Sequence, residues 1–594
     1  MGGGGAQDRT PGEPVEADLP APAGVSAVAG RGQVTVSWSP VPGAIGYAVH
    51  RSASPSGPFE VVDHGGGDVL AVPHGPYADT TAGRGGWYAV AALRTVNAIG
   101  PLSPPIPASG SSGSSGSFGS SGKYGEVTIS LGEAGGAPLP RIWQEMVGSE
   151  HLSHLLCTDT TGGRPIGAEL REALRRVHDD LGVRTVRAHA ILGDDLGVYR
   201  EHDDTPSYHF DRVDEVYDTV LGLGLTPVVE FGYLPRDLAA DPSRTVFTYQ
   251  GVISPPKDWS RWYDLIRAFT AHLADRYGLD DLRSRWRFEV WNEPNLSVFW
   301  SGTPAEYWRL YQLTAHAVKS VDPALRVGGP ATAAVGWIDD QVRADAPVDF
   351  LSTHVYGTLP LDLRPWAAGR PILWTEWGVT ATHGSPVNDS VFAAAFLLKG
   401  MRSAAGRLDA LAPWVASDHF EELGRPPRLW HGGFGLLTVG NLAKPKFWAL
   451  WLAQRLGDTE IPVTIRGDGA NSLVEAWASG YPDGGLGILL WNSTLDQGHA
   501  TGDAGLARLI RFTPPLSGPH TLRLWRIDAD HGNPSAEWHG GDWPTDAEWD
   551  ALRAADRLDE AQPPRRITPG EELVMALPNP GIAFLELRPE SPLT

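Results

Sequence analysis

Two glutamates carry the strongest chemical signal in this chain of 594 residues. Glu293 ends the run Phe288-Glu289-Val290-Trp291-Asn292-Glu293-Pro294, and Glu376 lies near the end of Ile372-Leu373-Trp374-Thr375-Glu376-Trp377-Gly378. Each closes an apolar stretch beside tryptophan. Pro294 cannot donate to a continuing ladder, and Gly378 offers a turn. The two are 83 positions apart. Paired carboxyls of this kind suit glycoside hydrolysis: one, protonated, donates to the leaving oxygen, while the other, ionised, attacks the anomeric carbon or orients water. Mutual repulsion separates their proton affinities. A single strand-end glutamate is ordinarily solvated or ion-paired; the matched pair points to function.

Elements able to bring them together are legible around them. Apolar or aromatic runs at 142–148, 185–191, 226–232, 286–294, 326–332, 350–357, 372–378 and 410–418 give eight candidate strands. Amphipathic helices fall between them. Helix 167–182 aligns Leu170, Leu174, Val177 and Leu181, helix 209–224 aligns Phe210, Val213, Tyr217 and Val220, and helix 258–278 aligns Trp262, Ile266, Phe269 and Leu273. A fourth opens on Thr303-Pro304-Ala305-Glu306, a capping box with Pro at the first helical position. Eight strands without polar alternation, repeating with helices over about 320 residues, predict a (β/α)8 TIM barrel, with a doubly wound sheet as the structural alternative. In such a barrel, active residues sit at the carboxyl ends of the strands.

Composition narrows the partners. With 48 Lys+Arg against 70 Asp+Glu the net charge is −22, so nucleic acid and anionic membranes are repelled. The single cysteine, Cys157, excludes an intramolecular disulfide. The longest apolar run, 391–398, falls far short of the roughly 20 residues that span a bilayer. Residues 1–22 have neither a basic nor an apolar leader segment and read as a disordered tail. That reading places the chain in the cytoplasm, or outside it if a leader has been removed. The 23 tryptophans exceed both 16 Phe and 15 Tyr; most serve packing, and some offer faces for sugar C–H groups.

Residues 108–122, ASGSSGSSGSFGSSG, form a Gly/Ser linker. Gly122-Lys123 is not a phosphate loop, since Ser117 stands where the first glycine is needed and Tyr124 replaces Ser/Thr. Ahead of the linker, the short strands VTVSW, YAVHRS and WYAVAAL, with Trp38, Tyr47 and Tyr88, make residues 23–107 resemble a fibronectin type III module, an N-terminal β-sandwich acting as spacer or contact domain. GEVTISL, within 123–135, is a strand expected to join a later β domain. The barrel then occupies 136–458, and 459–594 reads as a C-terminal β-sandwich.

Trp291-Asn292-Glu293-Pro294 and Trp374-Thr375-Glu376-Trp377-Gly378 resemble the acid/base and nucleophile strands of the retaining barrel glycosidases. More specifically, the chain resembles glycoside hydrolase family 39, the family of β-xylosidases and α-L-iduronidase. The likeness extends through RAHAILGDDLGVY (187–199), VVEFGYLPRDLA (228–239), ISPPKDWSRW (253–262), STHVYG (352–357), SDHFEE (417–422), HGGFGLL (431–437) and LWRIDADHGNP (524–534). It implies a retaining double displacement with Glu293 as general acid/base and Glu376 as nucleophile. Asn292 would bond the sugar 2-hydroxyl, His354 and Tyr356 would flank the nucleophile, and His189, Glu421 and Glu422 would hold the remaining hydroxyls. Gly378 and the run WVASDHFEE (414–422) depart from the family pattern beside the sugar pocket and leave both carboxylates in place.

The expected substrate is a xylo-oligosaccharide cut from its non-reducing end. Iduronidase-like or arabinosidase specificity is the alternative on the same scaffold, and a non-catalytic carbohydrate-binding scaffold is the alternative from another class. No cofactor or metal is expected, since His151/His154 and His419/His431 show no zinc partner set in the sequence. Oligomeric state is not encoded in these patterns.

Overall fold

In the computed structural model the described residues are 15–81, 85–110, 124–133 and 135–590. Eight parallel strands form the central sheet in chain order: β1 (Val147–His151), β2 (Thr185–His189), β3 (Thr226–Phe231), β4 (Arg287–Val290), β5 (Val327–Thr332), β6 (Phe350–Tyr356), β7 (Ile372–Gly378) and β8 (Ala410–Pro413). Just beyond β8, Ala416 N donates to Gly148 O of β1 at 2.8 Å, drawing the sheet into a barrel. The first strand differs from expectation: Ile142–Gln144 is a 3₁₀ turn, and pairing begins at Val147. Trp143 and Met146 are fully buried, so the apolar signal there is barrel-floor packing rather than strand.

The helices lie between strands and turn apolar stripes to the barrel. They include α1 (Ile166–Leu181), α2 (Asp211–Gly222), α3 (Trp259–Tyr277) and α4 (Pro304–Val321), with Val391–Ala404 between the last two strands. Both halves of the Thr303/Glu306 capping box form at the start of α4, which fixes where the chain leaves the loop after β4. No helix among the described residues is long and apolar enough to cross a membrane.

The C-terminal β-sandwich pairs a six-stranded sheet with a four-stranded one, in which Gly125–Leu131 lies between Val463–Gly467 and Arg508–Phe512. At the other end of the chain, two further sheets bury Val34, Val36, Tyr47, Val49, Tyr88 and Val90. The reading of residues 1–22 as a tail gives way at Val15–Glu16, which pairs with Ala98–Ile99; Ala17 is buried and its N donates to Ile99 O. Residues 1–14 lie outside the described residues. Of the linker read at 108–122, Ser109–Gly110 pairs beside Val28 and Ala29, and 111–122 lie outside the described residues.

The N-terminal unit rests on both other units. Asp362 N donates to Ile45 O at 2.7 Å, Trp366 Nε1 to Arg94 O at 2.9 Å, and Arg508 Nη2 to Arg31 O at 2.8 Å.

Candidate active site

Glu293 and Glu376 meet at the carboxyl end of the barrel. One carboxylate oxygen of each, with a nitrogen of His354, fall within 4.8 Å of one another. Each glutamate reaches that position through a local departure from regular strand. After β4 the backbone turns through positive φ at Trp291 (68°) and Glu293 (43°), conformations costing on the order of 1–3 kcal/mol each in non-glycine residues. Trp291 Nε1 donating to Phe299 O at 2.9 Å and Glu293 N donating to Ala331 O at 2.8 Å hold the turn.

In β7 the device is a bulge. The β6 pairing runs from Thr353↔Trp374 to His354↔Glu376, so Thr375 is the extra residue. Side chains of a regular strand alternate sides, but the bulge re-aims them. Thr375 reaches His354 and Glu289 while its neighbour Glu376 reaches Arg187.

Arg187 is the hub that the sequence reading did not assign. Fully buried, it binds Glu376 Oε1 at 2.5 Å, Glu289 Oε2 and Glu230 Oε2 at 2.8 Å each, and Asn292 Oδ1 at 2.9 Å. Burial works against its charge, but the carboxylates of Glu230, Glu289 and Glu376 more than restore it. One guanidinium thus orients the nucleophile candidate and the neighbour of the acid candidate. The only signal available was its place two residues before His189 on β2, which puts both on the barrel interior.

His189 sets Nδ1 2.7 Å from Glu230 Oε2, leaving Nε2 3.6 Å from Glu376 and 3.7 Å from Glu422. Tyr356 donates its hydroxyl to Glu376 Oε2 at 2.7 Å. Asn292 is held by Arg187. Glu422 faces this group: burial and the charges of Glu150 and Glu376 push its carboxyl well above the usual range. Glu421 stands apart, its carboxylate 2.7 Å from Arg425 Nε and 3.3 Å from His154 Nε2. Hydrogen bonding from His154 holds its carboxyl well below the usual range, at about 2. Of the two adjacent glutamates, Glu422 is therefore the one turned toward Glu376.

Burial, then the Glu376 and Asp68 charges, raise the Glu293 carboxyl well above the ordinary range. Burial, with the Arg187 and His189 charges, holds His354 neutral. Its Nδ1 lies 2.9 Å from Glu293 Oε1 and its Nε2 3.1 Å from Thr375 Oγ1. Thr375 spends its single proton on Glu289 Oε1 at 2.9 Å. Its oxygen must then accept from Nε2–H, which leaves Nδ1 as an acceptor. Nδ1 can bond Glu293 only if Glu293 carries the proton. The relay thus favours a protonated Glu293 beside an ionised, Arg-paired Glu376.

A second convergence joins Glu150, His151 and His154. The two imidazole centroids are 3.7 Å apart, whereas rings bound through nitrogen to one tetrahedral ion stand about 5 Å apart. The rings are tilted by 47° and stand closer together than that arrangement requires. His419 Nε2 instead binds Glu169 at 2.9 Å, and His431 lies 4.0 Å from Asp418. Aromatic rings wall the site, with Trp414 at 4.9 Å and Tyr233 at 6.0 Å from the His189 ring.

A parallel eight-stranded barrel holding a proton-rich and a cation-paired carboxyl at the ends of β4 and β7 is the architecture of a barrel glycoside hydrolase. Comparison with known proteins refines the class: residues 127–365 and 361–568 match glycosyl hydrolases family 39, and the chain belongs to that family. It is 32% identical over 477 residues to a β-xylosidase of Geobacillus stearothermophilus, covering 73% of this chain and 89% of that protein. A β-xylosidase of Caldicellulosiruptor saccharolyticus is 35% identical over 372 residues, 57% of this chain and 73% of that one. The crystal structure of a monomeric β-xylosidase from Caulobacter crescentus CB15 superposes with a TM-score of 0.65 at 28% identity, over 78% of this chain and 99% of that one.

Proposed function

We propose that this glycoside hydrolase is an exo-acting retaining β-xylosidase that releases xylose from the non-reducing ends of xylo-oligosaccharides. Glu376 attacks the anomeric carbon as the bond to the leaving oxygen breaks, and Glu293 gives its proton to that oxygen. Water then attacks the same carbon, Glu293 takes its proton, and Glu376 departs. Two displacements return the original anomeric configuration.

The observation that carries this reading is the spacing. One oxygen of each glutamate within 4.8 Å of the other puts the pair nearer the separation of about 5–5.5 Å used for retention than the roughly 6.5–9.5 Å of an inverting pair. Their low exposure, 9% for Glu293 and 5% for Glu376, suits a pocket that receives a chain end. Asn292 is placed to meet the 2-hydroxyl beside the nucleophile, and His189, Glu422 and Tyr356 line the remaining positions; Glu421 acts through its ion pairs. The glycone is read as a neutral pentose because the buried guanidinium of Arg187 is already committed to Glu230, Glu289 and Glu376 and has no free fork to clamp a uronate carboxylate.

The test is a panel of nitrophenyl glycosides with ¹H NMR of the first-formed anomer. β-Xyloside preference with β-xylose appearing first is expected; first appearance of the α-anomer, or preference for an iduronide, contradicts the reading.

A further inference from the structure

The family match begins at residue 127, and the Caulobacter structure is covered for 99% of its length by 78% of this chain. The N-terminal sheets thus lie outside the shared fold, yet one of their loops reaches the barrel rim. After the strand Glu60–Val61, residues 63–70 lie over the end of β6. Asp68 N donates to Tyr356 O, and Tyr356 N donates to Asp68 Oδ2, both at 3.0 Å. The contact is backbone-close: a Cβ on Gly357, whose φ is 71°, would stand 2.0 Å from Gly66 O. Thr358 Oγ1 donates to Ala71 O at 2.7 Å, and Gln497 N of the C-terminal sandwich donates to His64 O at 3.0 Å. The loop is clamped from two sides.

Tyr356 connects this loop to the chemistry, since its hydroxyl holds Glu376 while its backbone holds Asp68. Asp68 is exposed, and its Oδ1 makes no hydrogen bond among the described residues. Protein nonetheless surrounds it closely enough for desolvation to lift its carboxyl to about 6. Its charge acts on Glu293, and Tyr356, bonded to Asp68 through its backbone and to Glu376 through its hydroxyl, fixes it at the rim of the pocket.

We infer that Asp68 is a specificity-determining residue at the leaving-group side of the pocket, where its free oxygen accepts a hydrogen bond from a hydroxyl of the departing sugar. The inference rests on Glu293 being the acid, as proposed above. Groups facing Glu293 are Asp68 from the N-terminal loop, Arg187 on β2, Glu230 on β3, His354 on β6 and Glu376 on β7. Asp68 is the one anion among them that the family-matched segment does not supply. A carboxylate there favours neutral hydroxylated leaving groups and disfavours those carrying acidic substituents.

The experiment compares wild type, Asp68→Asn and Asp68→Ala on a disaccharide and on the nitrophenyl glycoside of whichever glycone the wild type turns over. Thermal unfolding confirms that each variant folds. Asp68→Ala should lower kcat/KM for the disaccharide about tenfold or more, the scale of a hydrogen bond to a charged group, with less than about threefold loss on the nitrophenyl substrate, which has no hydroxyl at that contact. Asp68→Asn can keep the bond to Tyr356 N but removes the charge, so the alkaline limb of kcat/KM should move to lower pH. Equal losses on both substrates with an unchanged pH profile would make Asp68 a loop anchor only and overturn the inference. A different preferred glycone would refute the xyloside reading while the disaccharide-to-nitrophenyl ratio still decides the role of Asp68.

Discussion

Nδ1 of His354 lies 2.9 Å from Oε1 of Glu293, and the direction of that hydrogen bond decides which of the two carries the proton. The decision is taken one residue further on. Thr375 gives its proton to Glu289, so His354 must present Nε2–H to Thr375 and a bare lone pair to Glu293.

Replacing Thr375 by Val removes the acceptor that fixes this tautomer. His354 is then free to protonate Nδ1 and donate to an ionised Glu293, lowering the proton affinity of the acid. The alkaline limb of the kcat/KM profile should shift to lower pH. Activity at neutral pH should fall about tenfold, while binding of a xylose-like inhibitor changes little. Thr375→Ser, which retains the hydroxyl, should restore the profile.

Glu293 also sets a pH dependence of stability. Burial first, then the Glu376 and Asp68 charges, raise its folded-state value above that of the unfolded chain, near 4.3. Such a group contributes fully below about 4.3 and loses that contribution as pH rises through the elevated folded value. Glu293→Gln should therefore raise Tm relative to wild type at pH 7 and give little gain at pH 4. Across the window between the two values the difference grows by roughly 1.4 kcal/mol per pH unit. Paired melts at the two pH values check the sign.

Arg187 offers a separation of charge from geometry. Arg187→Met leaves Glu230, Glu289 and Glu376 buried without their cation, a change expected to destabilise by about 3–5 kcal/mol. Arg187→Lys keeps the charge but cannot reach three carboxylates and Asn292 with one planar fork. It should fold with a smaller loss and still reduce kcat about a hundredfold or more. Thermal unfolding beside steady-state kinetics distinguishes the two effects.

Much of the barrel was legible because its signals are local. The Thr303-Pro304-Ala305-Glu306 cap and the stripe of Leu170, Leu174, Val177 and Leu181 act within one helix. Glu293 and Glu376 were legible because each closes an apolar run beside tryptophan. The Thr375 bulge was not, since Trp-Thr-Glu-Trp reads as ordinary alternation, and only pairing with β6 shows that two consecutive side chains serve the site. Nor was Arg187, whose importance lies in four partners scattered from Glu230 to Glu376. The different orientations of Glu421 and Glu422 depend on Arg425 and His154, one of them from a remote segment. The loop bearing Asp68 is held at the rim by contacts with residues 288 positions away and more.

The account turns on Glu376 bonding to the anomeric carbon. A 2-deoxy-2-fluoro-xyloside with a strongly activated leaving group slows both displacements but favours formation of the glycosyl-enzyme over its hydrolysis. Mass spectrometry of the peptides should then find one fluoroxylosyl adduct, on the peptide containing Glu376, and none on the Glu376→Gln variant. An adduct on another residue, or turnover of the Glu376→Gln variant at the wild-type rate, would contradict it.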